Sequence, residues 1–215
     1  MKVNFKLLIG LGLLVVFGYV LKDLFLNDNQ YILRLRQERQ EKNDTFRRPA
    51  DSPLSSAERE HFDSLRYFRP SPDYRLDAKL EQFGKPDTIV LPMSDGKTEK
   101  YLRWGKASFT LPGQQAGQQL VLFLKADGRD STLFVPFTDQ TNGRETYGGG
   151  RYLDAALPEK NATELTLDFN RAYNPFCAYN DSYSCPVPPA ENRLPVAIAA
   201  GEKSFPEADH TGHSH

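Results

Sequence analysis

Beyond Pro72 the sequence settles into a two-residue alternation. Tyr74, Leu76, Ala78 and Leu80 take every second place, with Asp73, Arg75, Asp77, Lys79 and Glu81 between them. A period of two puts the two sets on opposite faces of an extended strand, one face buried and one wet. Thr88–Leu91 and Glu99–Trp104 flank Asp95-Gly96, a hairpin turn signal. Ala107–Leu111, Leu120–Leu124, Leu133–Phe137, Glu164–Phe169 and Leu194–Ile198 read as further short strands, with a turn at Asp127-Gly128. Pro136 marks an edge or a bulge, because proline gives no N–H to a ladder. Short strands at near-regular spacing predict a mainly β chain: a single small antiparallel barrel or sandwich domain, with one or two N-terminal helices.

Ahead of the strands, Ser55-Ser-Ala-Glu58 forms a capping box, Ser55 as N-cap and Glu58 at N3, opening a short helix that ends before Pro70. The N-terminus reads differently. Lys2 and Lys6 precede an uncharged run from Leu7 to Leu21, which Lys22 and Asp23 interrupt before Leu24-Phe-Leu26. The run falls short of the ~20 apolar residues that span a bilayer, although a snorkelling Lys22 would extend it. A basic start and a short apolar core also fit a signal peptide, but neither a small-x-small site nor a lipidation cysteine follows. The expected organisation is an uncleaved membrane anchor helix over residues 1–26, a polar stalk over 27–50, a β-rich domain over 51–206 and a tail over 207–215. Flanking basic residues nearly balance across the run. Its likeness to a signal places the domain on the exported side, periplasmic or extracellular. Lys+Arg 27 against Asp+Glu 28 leaves a formal net charge of −1. With no basic bias and no nucleic-acid motif, nucleic acid is not an expected partner.

The C-terminal third sets acids, amides, aromatics and glycines among apolar runs. Such groups must find hydrogen-bond partners or face a cleft. The candidate ligand-binding residues are Asp139, Glu145, Tyr147, Arg151, Asp168, Asn170, Asn174 and Glu202. Gly148-Gly-Gly150 followed by Arg151 could cradle an anion; equally, the glycines could form turns and Arg151 could pair with Asp139 or Asp154. The carboxylates would serve a paired acid/base site, with or without a divalent metal, but no spacing matches a calcium loop. No cofactor is specified. Serine hydrolysis lacks its Gly-x-Ser-x-Gly elbow, and His61 is the sole histidine before the tail. His210, His213 and His215 could chelate a metal loosely. Cys177 and Cys185 could close a small disulfide in an exported domain, or stay buried and reduced.

The strings Phe134-Val-Pro-Phe-Thr-Asp139, Glu145-Thr-Tyr147, Gly148-Gly-Gly-Arg-Tyr152, Asp168-Phe-Asn170, Ala172-Tyr-Asn-Pro175, Glu191-Asn192 and Ala200-Gly-Glu-Lys203 resemble a bacterial domain-of-unknown-function family, numbered 1684. The resemblance spans about Ser52 to Phe205 and implies one domain there, with no particular chemistry. The expected function is a membrane-anchored domain that binds a small polar or anionic ligand, or a cell-envelope component, in a polar and aromatic cleft. The alternatives are a paired-carboxylate hydrolase and a structural or interaction protein without a ligand site.

Overall fold

The computed structural model describes residues 5–126 and 132–205. Its first element is helix α1, Phe5–Arg47. From Asn27 to Arg47 the sequence has no Gly or Pro and is rich in Arg, Gln, Glu and Lys, which lose little rotamer freedom in a helix. Bonds from Gln37 to Glu41 (2.9 Å) and Gln40 to Asp44 (3.1 Å) add support one turn apart on its exposed side. Pro49 disfavours helical backbone just before it, and α1 ends there. Tyr31, Leu35, Asn43 and Phe46 are buried and share one face at helical spacing. The stretch expected as a solvated stalk is therefore a helix docked by one stripe, Tyr31, Leu35 and Phe46, while Leu33 stays exposed. Among the described residues no helix is long and apolar enough to cross a membrane. The anchor expected over 1–26 is thus not supported; Lys22 and Asp23 cut its apolar run short while α1 continues through them. Residues 1–4, the Asp127-Gly128 turn and the histidine tail lie outside the described residues.

Helix α2, Ser56–His61, carries the expected capping box, with Ser55 and Glu58 bonding each other's backbone. Six strands follow: β1 Arg75–Pro92, β2 Thr98–Thr110, β3 Gly117–Lys125, β4 Thr132–Phe137, β5 Arg151–Ala156 and β6 Glu164–Asp168. They make one antiparallel sheet in the order β5-β4-β3-β2-β1-β6. After β6 the chain turns through Phe169–Arg171. Tyr173 then bridges back to Tyr152 of β5 by two backbone bonds of 2.8 and 2.9 Å. The sheet thus curls into a nearly closed barrel. Its inner face is the predicted alternation: Ala78 and Leu80, Ala107 and Phe109, Leu120 and Leu122, Leu133 and Val135, Leu153 and Ala155, Leu165 and Leu167 form one buried core.

Three differences from the expected strands have local causes. Tyr74–Glu81 and Thr88–Leu91 are parts of the single strand β1, which crosses a register shift between Gln82 and Asp87. β5 replaces the expected glycine loop from residue 151 onward: Arg151 pairs with Phe137 in the β4–β5 ladder although it is charged. Leu194–Ile198 is no strand. Pro195 has no N–H to give, and the segment makes only one parallel bridge nearby, between Thr138 and Arg193. Pro136, expected at an edge or a bulge, lies in the inner strand β4, where β3 and β4 register at only one pair, Phe123 with Phe134, leaving a gap. The buried Asn192 amide fills it, accepting from Val121 N–H at 2.7 Å and donating to the carbonyls of Val121 (2.9 Å) and Pro136 (2.8 Å).

Candidate functional site

Of the eight candidate residues, six are buried and bonded into the fold. Arg151 and Asp139 form an ion pair at 2.8 Å with both side chains fully buried. The guanidinium also donates to the carbonyls of Ile198 (3.0 Å), Ala200 and Glu202. Asp139 accepts from the Thr141 amide and hydroxyl at 2.8 and 2.6 Å and from the Ile198 N–H at 3.2 Å. Burial pushes the Arg151 pKa down, and Asp139 opposes that shift. Gly150, with φ +94°, feeds this strand where a Cβ would lie 2.8 Å from the Phe137 carbonyl. The glycine run thus serves a tight backbone crossing, and Arg151 is an internal tie.

Of the other four buried residues, Asp168, Asn170 and Glu202 bond to α1 and Asn174 braces Glu202. Glu202 receives Lys42 at 2.8 Å, the Asn174 side-chain and backbone N–H groups at 3.3 Å, and the Tyr179 hydroxyl. Burial, then the neighbouring Glu202, drives the Tyr179 pKa upward. Asp168 accepts from Tyr31 at 2.7 Å and from Arg171 at 2.8 Å. Asn170 donates to the Tyr31 oxygen and binds both backbone groups of Ser71. The two remaining candidates lie elsewhere. Glu145 is half exposed, 3.7 Å from Lys203. The Tyr147 hydroxyl stands 4.0 Å from Cys177 Sγ. Cys177 and Cys185 are free thiols, both buried.

A cleft of about 270 Å³ opens between α1 and the segment that closes the barrel. Leu35, Glu38, Arg39 and Lys42 form the helical wall; Tyr67, Asp154, Asn170, Arg171, Ala172 and Tyr173 form the other. Asn170 is the sole candidate residue among them. Glu38 and Arg171 face each other through two bonds of 2.8 Å, which hold the Glu38 carboxyl below the usual range and Arg171 above its own. Arg39 lies over the Tyr67 ring, 4.3 Å from its centre. It donates to the Phe68 and Asn170 carbonyls at 3.0 and 3.2 Å, and its Nε is buried without a partner. Burial lowers the Arg39 pKa and raises those of the Tyr67 and Tyr173 hydroxyls. Lys42 stands 5.3 Å from the Tyr173 ring centre. The helical wall escaped prediction, yet its signal is present: residues 31, 35, 38/39, 42 and 46 recur at the helical period.

Residues 60–203 match the family described as "Protein of unknown function (DUF1684)". The chain belongs to the DUF1684 family. An uncharacterized protein from Haloarcula marismortui, solved by solution NMR, is 40% identical with a TM-score of 0.64, and the alignment covers 86% of this chain and 97% of that one. No curated protein matches the sequence. The DUF1684 match is somewhat shorter than the expected span of 52–205, and it divides the cleft. Tyr67, Asp154 and residues 170–173 lie inside the matched span, whereas the α1 wall precedes it.

Proposed function

We propose that this DUF1684 chain binds a small anionic ligand in the cleft between α1 and the barrel's closing segment. Arg39 carries the reading. Its two terminal nitrogens are engaged, but its buried Nε lacks an acceptor, and an unpaired donor on a charged group is costly. A carboxylate or phosphate group in the cleft would sit beside this guanidinium and offset its charge. Tyr67 lines the same cleft, beside Lys42 and Arg171, whose charges are shared with Glu202, Glu38 and Asp168. The rings of Tyr67 and Tyr173, with Leu35 and Ala172, give apolar contact.

This reading ranks above hydrolysis for a specific reason. Asp139, Glu145 and Glu202, the acids expected to work in pairs, each face a cation: Arg151, Lys203 and Lys42. A structural role without ligand is favoured by a different observation, the six buried candidate residues that tie segments together. Calorimetric titration of the full chain with small hydroxy- and amino-carboxylates and sugar phosphates separates the two. Binding that Arg39→Met weakens about ten-fold or more, with the unfolding transition kept, supports the cleft. Equal affinity in the variant refutes the cleft, and silence across the whole panel favours the structural role.

A further inference from the structure

We propose that Cys177 and Cys185 form a reversible dithiol–disulfide couple, an oxidation site packed against β4 and β5. Both thiols are free, and each residue is only 7% exposed. They share one cluster with Tyr152, flanked by Phe134, Tyr147 and Tyr173. The Cys177 backbone N–H donates to Cys185 Sγ at 3.2 Å, so one sulfur already lies over the other residue's main chain. Both positions are fixed from outside the pair. Cys177 sits in the 3-10 turn Phe176–Ala178 behind Pro175. Cys185 is bound to the β1–β2 turn, its N–H to Ser94 Oγ at 3.0 Å and its carbonyl to Ser94 N–H at 2.8 Å.

The surroundings give the two sulfurs different roles. The hydrogen bond from the Cys177 thiol and the backbone N–H groups of Cys177 and Phe176 lower the Cys185 pKa to about 7. The same thiol contact, with burial, pushes Cys177 up. The Cys177 N–H aimed at Cys185 Sγ favours a thiolate there, which makes Cys185 the attacking sulfur and Cys177 the resolving thiol. With a low-molecular-weight disulfide as oxidant, Cys185 S⁻ attacks one sulfur, forming a mixed disulfide and releasing one thiolate. Cys177, losing its proton, then attacks Cys185 Sγ and expels the second. The chain gives up two electrons and two protons, and the oxidant leaves as two thiols.

The test uses the full chain with oxidised glutathione at neutral pH, quenched by alkylation under denaturing conditions and digested with trypsin. No Lys or Arg lies between residues 172 and 192, so both cysteines fall in one peptide. We expect that peptide to lose two hydrogens, to resist alkylation and to recover both thiols on reduction. Cys177→Ser should retain one glutathione on Cys185, and Cys185→Ser should react about ten-fold more slowly. Two alkyl groups on the wild-type peptide after long exposure, or two separate glutathiones, would overturn the couple. Far-UV circular dichroism reports whether each variant folds. If one does not, the wild-type peptide decides alone.

Discussion

Arg151→Met removes the charge at the barrel's most buried ion pair while keeping an apolar stem of similar reach. Three carbonyls, those of Ile198, Ala200 and Glu202, lose their donor, and Asp139 loses its countercharge. Removing one partner of a buried pair costs about 3–5 kcal/mol. Asp139 keeps three donors, two from Thr141 and one from Ile198, which places the loss near the lower end, about 3 kcal/mol. For a domain of this size that corresponds to a fall in Tm of roughly 6–12 °C, at about 2–4 °C per kcal/mol. Urea unfolding followed by circular dichroism gives the value directly, provided that the m-value is unchanged. The double variant Asp139→Asn/Arg151→Met should lose about 1–3 kcal/mol less than the sum of the singles, because the second change removes a charge already stranded. A single-variant loss below about 1 kcal/mol, or strict additivity, would mean that the pair is solvated and that Arg151 is free for other work.

Three further outcomes follow from the geometry. Asn192→Leu strips three buried backbone groups of their partner; it should cost at least about 2 kcal/mol and speed hydrogen exchange at the Val121 amide, whereas an unchanged amide would show that β3 and β4 hold without it. Gly201→Ala places a Cβ 2.6 Å from the Ala172 carbonyl at φ +79° and should cost more than Gly143→Ala, where φ is +74° but nothing lies within 4 Å; equal losses in denaturant would leave only the backbone strain they share. Iodoacetamide labelling of Cys185 should rise as pH climbs through about 7, where its thiolate forms, and Cys177→Ser should move that midpoint upward; a wild-type midpoint near 8.5, the ordinary cysteine value, would contradict the role given to the Cys177 bond.

The barrel was legible because its inner face is written as an alternation, Ala78/Leu80 through Leu165/Leu167, and because the Asp95-Gly96 turn and the Ser55–Glu58 cap use local chemistry. β5 was not legible. Arg151 enters a strand because Asp139 and three carbonyls await it, and the carbonyls lie 47, 49 and 51 positions further along the chain. The same distance explains the site. Asp168, Asn170, Asn174 and Glu202 were singled out as candidate ligand-binding groups, and their partners within the fold include Tyr31, Lys42, Tyr179 and Arg171. The cleft came from a meeting of α1 with residues 67 and 170–173, which no window along the sequence contains. Arg39 looked like ordinary surface charge in a polar stretch. Its stacking on Tyr67 is a tertiary fact.

The bonds that dock α1 have a consequence for how the chain is made. Lys42 finds its carboxylate at Glu202, 160 positions later, and Tyr31 finds Asp168 after 137. The helix can coil as soon as it leaves the ribosome, but it must wait for its seat. At roughly 5–20 residues per second, the nascent chain carries an undocked helix for many seconds, and a ribosome that stops just before residue 202 releases a chain whose Lys42 has no carboxylate to bind.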